Sequence, residues 1–274
     1  MFELIRLAIA LFGSAAAGYQ DLKTSDISDI LVFSMIGLGL AIHGVESLMV
    51  GSIDPFLSSL GTAFILGIFA LAMYYAGAWG GGDGALLVAV GALLPSAPLT
   101  SSITSIPFLA VYFVSVFVVG FLYSLTYLSL TVFRNAKTRT AYIKSIVQNQ
   151  GMIYIFTAFA AVALALDRSI IGGLLSVLLL LVPFIYQLSA VSELAFLQKI
   201  PVRKLKVGDM IGEDIPRLGI FKRKIRGLTL QEVKAIRRVK KFVFIRDGVR
   251  YGPVFFLALF PALYSKTILL ALLA

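Results

Sequence analysis

The sequence contains no cysteine and only one histidine, His43, among its 274 residues. Without cysteine, the chain cannot form a disulfide bond, a thiolate nucleophile or a cysteine-ligated zinc site. One histidine is too few for the usual zinc ligand sets, and its apolar neighbours in the sequence are typical of a histidine that either has its hydrogen bonds satisfied inside the protein or lies at the lipid edge. We therefore expect no metal ion and no cofactor, so any hydrolysis would have to be performed by carboxylates.

Charged residues are also scarce, at 14% of the chain against 59% hydrophobic residues, and the mean hydropathy is +0.95. This composition excludes an ordinary soluble protein. A helix needs about 20 mostly apolar residues to cross a membrane. Because two of the apolar segments are short, we predict six to eight transmembrane helices in an all-α polytopic membrane protein. The candidate segments are residues 2–19, 29–49, 56–78, 85–95, 107–133, 152–166, 169–191 and 253–273.

The stretch 201–252 differs from the rest and predicts a small cytoplasmic α+β domain near the C-terminus. Thr229 and Glu232 have the spacing of a capping box, which begins a helix. Residues 241–245 (Lys-Phe-Val-Phe-Ile), with an Asp-Gly pair soon after, are typical of a strand and a turn. The predicted divisions are a membrane domain (1–191), a basic cytoplasmic domain (192–252) and a C-terminal transmembrane helix (253–274).

Basic residues are distributed unevenly along the chain. With the N-terminus outside, the cytoplasmic segments are 20–28, 79–84, 134–150 and 192–252, and they hold 21 of the 24 Lys and Arg residues. Since positive charge is retained on the cytoplasmic side of a membrane, we predict this orientation in the cell membrane. We expect the basic domain to face anionic lipids. Nucleic-acid binding is not expected, because no recognition module is present.

Two aspartates lie at the ends of apolar segments, both on the predicted cytoplasmic side. Asp21 closes the first segment, and Asp83 lies in residues 79–84 (Trp-Gly-Gly-Gly-Asp-Gly). Burying a carboxylate beside hydrocarbon is costly, so an acid at this depth indicates function. Two carboxylates a few ångströms apart share a proton, so one can activate water while the other protonates a peptide carbonyl. Asp21 also lies where a signal-peptide cleavage region would be, so we do not expect a cleavable signal peptide.

The glycines around Asp83 allow two interpretations. They would leave no side chain between the backbone and an extended substrate, and they would allow a non-helical approach to the fourth segment. Alternatively, they form only a flexible loop between two helices. The second aspartate on the same side of the membrane favours the functional interpretation.

These residues resemble the motifs of archaeal type IV prepilin and preflagellin (prearchaellin) peptidases, membrane aspartyl proteases with a Gly-x-Gly-Asp motif. The resemblance rests on residues 21–29 (Asp-Leu-Lys-Thr-Ser-Asp-Ile-Ser-Asp), 80–84 (Gly-Gly-Gly-Asp-Gly) and 91–95 (Gly-Ala-Leu-Leu-Pro). It implies that Asp21 and Asp83 are the catalytic pair.

The resemblance also implies that Gly80 and Gly82 are the motif glycines, with Gly84 and Lys23 as further substrate-binding or motif positions. Many family members carry lysine two residues after the second aspartate, where this chain has Ala85. No lysine role is therefore carried over. The bacterial relatives add a zinc-binding cysteine region and an N-methyltransferase activity, which we do not expect in a chain without cysteine.

The family removes a short basic leader from pilin-like or archaellin precursors at the cytoplasmic membrane face. We therefore expect this endopeptidase reaction, with such precursors as partners. Which precursor is cut, which residue precedes the scissile bond and the oligomeric state stay open. A helix-dipole argument further predicts that Asp83 is the resting base and Asp21 the acid, and that residues 201–252 hold no catalytic residue.

Three alternatives compete with this interpretation. Presenilin-like and signal-peptide-peptidase-like proteases share the Gly-x-Gly-Asp motif, and residues 261–263 spell their Pro-Ala-Leu tripeptide. Their two aspartates, however, lie on adjacent helices late in the membrane domain. An ion-coupled transporter would have acids at mid-helix and an internal repeat, and neither is found in the sequence. A non-catalytic membrane scaffold is the third alternative.

Overall fold

The computed structural model describes residues 2–96, 108–221 and 227–264, and it is 77% helical. Three short strands occur in this part of the chain, β1 (Leu197–Pro201), β2 (Met210–Ile211) and β3 (Phe242–Arg246). The predicted class, a helical polytopic protein with a small α+β region, is confirmed. The helices are α1 (Phe2–Thr24), α2 (Asp29–Val50), α3 (Asp54–Tyr75), α4 (Gly81–Leu93), α5 (Phe108–Arg134), α6 (Ala136–Gln148), α7 (Gln150–Leu166), α8 (Ile170–Ala195), α9 (Leu230–Val239) and α10 (Gly252–Leu257).

Five helices in the described ranges are long and apolar enough to cross a membrane: α1, α2, α3, α5 and the Leu175–Ala195 part of α8. The helices α6 and α7 meet at a bend of 69° and would add a sixth span if they cross together. Two further apolar helices, α4 and Gly252–Tyr264, are shorter. Each of the eight predicted segments lies on one of these helices, although residues 107 and 265–273 lie outside the described part. The chain is a multi-pass membrane protein.

The described residues form two compact units. The first comprises the residues up to Ser124 together with those from Arg250 onward, and the second runs from Leu125 to Val249. The long helix α5 contributes residues to both units. The predicted borders after residues 191 and 252 concern a different division, between membrane and cytoplasmic parts, and they stay predictions.

In the first unit, the short helix α4 packs among α1, α2, α3 and α10. Its Leu86, Leu87, Val90 and Leu93 are fully buried, as expected of a helix that is apolar on all sides. The helices α2 and α4 can approach each other closely because residue 39 of α2 is glycine. A Cβ on Gly39 would lie 3.0 Å from the backbone of Ala92 on α4. The short helix is therefore enclosed by other helices of the same unit.

In the second unit, the polar helix α6 was not anticipated from the sequence. The Asn135 side chain caps it by accepting a hydrogen bond from the Lys137 N–H at 2.9 Å, which satisfies one of the free amides of the first turn. Its Tyr142 packs with Leu188 and Val191 of α8. A polar helix with one apolar face is thus held on an apolar helix.

The part of the second unit that follows α8 is the small α+β region. Its antiparallel sheet has the order β1-β3-β2, and α9 begins at the predicted capping box: Thr229 N–H donates to Glu232 at 2.9 Å, and Glu232 N–H donates to Thr229 at 3.3 Å. The predicted strand at 241–245 corresponds to β3. Apolar residues of the sheet, of α9 and of the connecting loops form its core, which includes Leu205, Ile211, Ile215, Ile220, Leu228, Val233, Ile236 and Val243.

Candidate active site

Asp83 lies in the first turn of α4. Gly80 is extended (φ −71°, ψ 162°) and is the N-cap, and its N–H donates to the Asp83 carboxylate at 3.1 Å. The helix therefore begins at Gly81, one turn before the predicted segment 85–95, so Asp83 lies within α4 and does not precede it. The physical reason is that the Asp83 side chain caps its own helix, which compensates for the low helix propensity of the glycines.

Asp21 lies in the last turn of α1 and is 7% exposed. One of its carboxylate oxygens accepts a hydrogen bond of 2.7 Å from the backbone N–H of Gly252. The next residue, Leu22, offers its backbone carbonyl to the guanidinium of Arg250. The end of α1 is therefore bound at two successive residues by the chain at the start of α10.

The two predicted site aspartates are brought together. The helices α1 and α4 pack against each other, and the charge of Asp21 in the last turn of α1 acts on Asp83 in the first turn of α4. Two like charges at close range cannot both ionise cheaply, and such a pair shares a proton. Two carboxyl groups in such an arrangement can supply one acid and one base.

An aromatic cluster lines this end of the unit. Trp79, which directly precedes Gly80, is buried, and its ring centroid lies 5.7 Å from Phe69, 5.9 Å from Phe117 and 5.6 Å from Phe255. Aromatic rings at these separations attract one another and bury a large area. Sequence reasoning missed this cluster, although the only tryptophan of the chain, directly before the motif, was an available signal.

Tyr251 completes the cluster and approaches the aspartates. Its ring centroid lies 5.9 Å from Trp79. Burial, together with the charge of Asp83, raises the pKa of Tyr251 to about 12. The hydroxyl therefore stays protonated at neutral pH, and it donates to the carbonyl of Val116 at 3.2 Å.

Two of the motif glycines, Gly82 and Gly84, lie where a side chain would collide with a neighbouring residue, which the sequence did not reveal. A Cβ on Gly84 would lie 2.8 Å from the Cβ of Ala70 on α3, and a Cβ on Gly82 would lie 3.0 Å from the Cβ of Ile27. By contrast, a Cβ on Gly81 would meet no atom within 4 Å. Gly82 and Gly84 therefore permit close packing beside Asp83, and a role in substrate approach stays a prediction.

The remaining predicted residues are placed as follows. A Cβ on Gly80 would lie 3.2 Å from the Asp83 carboxylate, so Gly80 is part of the same turn. Lys23 is exposed at the end of α1, with its Nζ 4.4 Å from the ring centroid of Tyr19. Lys23 lies two residues after Asp21 in the chain. Its role in substrate binding stays a prediction.

His43 lies in a separate polar cluster inside the first unit. It is buried, with Arg6 2.8 Å from its Nδ1, and Arg6 also pairs with Glu46. The cluster links α1 and α2, which agrees with a structural role for His43. Within the described ranges, no group of three or more His, Cys, Asp or Glu side chains could hold a metal ion.

The fold and the paired carboxylates define a multi-pass membrane protein with a two-aspartate site. Residues 8–125 match the sequence profile of the Type IV leader peptidase family. This matching stretch includes both aspartates and every motif glycine. The resemblance found in the sequence is thereby confirmed.

Two characterised archaeal proteins are similar to the chain. A prepilin peptidase (EppA) of Methanothermobacter thermautotrophicus is 39% identical over 115 residues, which are 41% of this chain and 29% of that protein. A preflagellin peptidase of Methanococcus voltae is 34% identical over 93 residues, which are 34% of this chain and 40% of that protein. The chain thus matches less than half the length of either relative. No solved structure matches it significantly.

Proposed function

We propose that the protein is a membrane aspartyl endopeptidase that removes a short basic leader from pilin-like or archaellin precursors. The observation that carries this proposal is the packing of α1 against α4, which brings Asp21 within electrostatic range of Asp83, inside the stretch that matches the Type IV leader peptidase family. Both aspartates lie in terminal helical turns. This position differs from the mid-helix acids expected of an ion-coupled transporter.

The paired carboxylates supply general base and general acid catalysis to peptide hydrolysis. In the first step, the ionised aspartate removes a proton from a water molecule, and the water oxygen bonds to the carbonyl carbon of the scissile peptide. The protonated aspartate gives its proton to the carbonyl oxygen. A neutral tetrahedral diol forms, and the two aspartates have exchanged protonation states.

In the second step, the aspartate that took the proton of water gives it to the leaving nitrogen. The other aspartate takes a proton from one hydroxyl of the diol, the carbon–nitrogen bond breaks, and a carboxylic acid and an amine are released. Both aspartates return to their starting protonation states. The reaction needs water and the two carboxyl groups, without a further reactant.

We assign the resting base to Asp21 and the acid to Asp83. A hydrogen bond donated to a carboxylate favours its ionised form, and Asp21 receives the shorter one, 2.7 Å from Gly252 against 3.1 Å from Gly80 to Asp83. The helix-dipole argument from the sequence predicted the reverse order because it considered only the helix on which each aspartate lies. The two groups titrate as a coupled pair.

The cytoplasmic orientation and the lipid contact belong to the same proposal. The predicted cytoplasmic segments carry most of the Lys and Arg residues, and positive charge is retained on that side. A basic leader would therefore meet the site before it is translocated. The basic residues of the small α+β region would contact anionic headgroups, at about 1 kcal/mol for each residue near the surface.

The proposal is tested by reconstituting the purified protein in liposomes and adding candidate precursors that have a short basic leader. We expect two products whose masses place one cut directly before the hydrophobic segment. A matched precursor in which that segment is kept and the leader's basic residues are replaced by Gln should be cut more slowly. Intact precursors after incubation with the wild-type protein would contradict the proposed function.

A further inference from the structure

The segment Arg250–Pro253 lies at the paired aspartates, although it is far from both in sequence and outside the stretch that matches the family. The Gly252 N–H donates to Asp21 at 2.7 Å, and Arg250 donates to the carbonyl of Leu22. Both the segment and α1 belong to the same compact unit. The approach is therefore part of the internal packing of that unit.

Three glycines make room for this segment. A Cβ on Gly252 would lie 2.8 Å from the Cβ of Asp21, and a Cβ on Gly18 would lie 2.9 Å from the Cα of Pro253. A Cβ on Gly120 of α5 would overlap the hydroxyl of Tyr251. Because contacts this short are not tolerated, a side chain at any of these positions would displace the segment.

The same segment also contacts the second motif. The ring of Tyr251 packs against Trp79, with 5.9 Å between centroids, and Trp79 is the residue before Gly80. The charge of Asp83 acts on Tyr251 as well. Two adjacent residues, Tyr251 and Gly252, therefore link the helix that carries Asp21 to the motif that carries Asp83.

We propose that Gly252 is a positioning residue whose backbone N–H holds the Asp21 carboxylate toward Asp83 and favours its ionised form. A charge-assisted hydrogen bond from a backbone amide has this effect on a carboxylate. The part of this inference that concerns rate rests on the proposed function. Gly252 belongs to residues 201–252, for which the sequence predicted no catalytic residue. Its proposed role is to position Asp21.

Other charged and titratable groups on the elements around Asp21 are few in the described ranges. They include Asp83 on α4, Arg250 and Tyr251 before α10, and Tyr19 and Lys23 on α1 itself, while Asp26 after α1 and Asp29 at the start of α2 are exposed. Of these, Asp83 is a second carboxyl group on which the charge of Asp21 acts. A test of the Gly252 hydrogen bond therefore starts from a variant in which Asp83 cannot ionise.

The first measurement needs no substrate. In the Asp83→Asn variant, the carboxyl infrared band of Asp21 is identified by its disappearance in the Asp21→Asn/Asp83→Asn double variant, and it is followed as a function of pH. We expect Gly252→Ala to move its midpoint upward by about 1–2 pH units, the shift that corresponds to one hydrogen bond to a charged group. An unchanged midpoint in a folded Gly252→Ala protein would overturn the proposal.

The second measurement uses cleavage kinetics with Asp83 restored. Gly252→Ala should lower kcat about 100-fold, the effect of a misplacement on the order of 1 Å, with KM little changed and the acidic limb of the pH profile moved upward. Gly18→Ala should give the same signature, since it pushes Pro253 away without adding an atom beside Asp21. The control is Gly248→Ala, because a Cβ there would meet no atom within 4 Å.

The two measurements separate the possible failures. If the wild-type protein cleaves no precursor and the infrared midpoint still shifts, the proposed function fails and the role of Gly252 in holding Asp21 stands. If Gly252→Ala does not fold, Gly18→Ala supplies the infrared and kinetic test. Loss of thermal stability with an unchanged midpoint and unchanged kcat would show that the segment only supports packing, which would refute the inference.

Discussion

Gly81 and Gly84 offer a matched pair of substitutions in the first turn of α4. A Cβ on Gly81 meets no atom within 4 Å, whereas one on Gly84 lies 2.8 Å from the Cβ of Ala70. Carbon atoms prefer a separation of at least about 3.5 Å, so Gly84→Ala forces α3 and α4 apart by about 0.7 Å. Gly81→Ala forces no movement.

The expected difference in stability follows from this geometry. Both substitutions gain about 0.5–1 kcal/mol from the higher helix propensity of alanine, and this gain cancels when the two variants are compared. What remains is the cost of overpacking, about 1–3 kcal/mol. Gly84→Ala should therefore be less stable than Gly81→Ala by that amount.

The activity should differ more than the stability. Gly84 is adjacent to Asp83, so the displacement moves a carboxylate that must meet Asp21, and a misplacement on the order of 1 Å costs about 100-fold in rate. The assays are reversible unfolding in detergent micelles and the initial rate of precursor cleavage. Ala70→Gly added to Gly84→Ala removes the clash and should restore both properties. Equal stability and equal rates in Gly81→Ala and Gly84→Ala would refute the packing argument.

Three further predictions concern the glycine motif, the basic surface and the pH profile. Gly82→Val should abolish most cleavage while the protein stays folded, because its Cβ would already lie 3.0 Å from Ile27. A wild-type rate in a cleavage assay would show that Gly82 is only part of a linker. Reversing the charges of the exposed Arg238 and Lys241 should weaken sedimentation with anionic liposomes and raise KM, with kcat little changed. A fall in kcat alone would indicate that the small α+β region takes part in the chemical step. The pH–rate profile should be bell-shaped, because cleavage is lost at low pH when the base is protonated and at high pH when the acid ionises; a single-limbed profile would exclude paired carboxylates.

The choice of Arg238 and Lys241 comes from the structure. The neighbouring Arg237 donates to the carbonyl of Leu205 at 2.7 Å, and Lys240 pairs with Glu213 at 2.7 Å. Reversing those two charges would disturb the fold of the small region as well as its surface. The sequence alone gives all four residues equal weight because it shows only their charge.

Much of the fold could be predicted because the signals are local. Apolar runs identified the membrane helices, and the spacing of Thr229 and Glu232 identified the start of α9. The helix α6 could not be recognised from hydropathy, since it is polar and depends on the Asn135 cap and on packing of Tyr142 against α8. Its helical structure depends on tertiary contacts that hydropathy does not encode.

The candidate site also has features that the sequence predicts and features that it does not. The two aspartates were recognisable because each ends an apolar segment beside a short motif. The contact between Asp21 and Gly252 was not, because it joins residues far apart in the chain and uses a backbone N–H, which every residue except proline has. The packing role of Gly84 against Ala70 likewise depends on which helix lies beside α4, and sequence spacing does not reveal that.

The most direct test of the account is the cleavage of one precursor by Asp21→Asn, Asp83→Asn and Asp26→Asn side by side, with mass analysis of the products. Asparagine keeps the shape of aspartate but can neither accept the proton of water nor donate one as an acid. Asp26 is exposed after α1 and serves as the matched control. Asp21→Asn and Asp83→Asn should leave the precursor intact, while Asp26→Asn should cut it at the wild-type rate. Cleavage at the wild-type rate by either Asp21→Asn or Asp83→Asn would contradict the account.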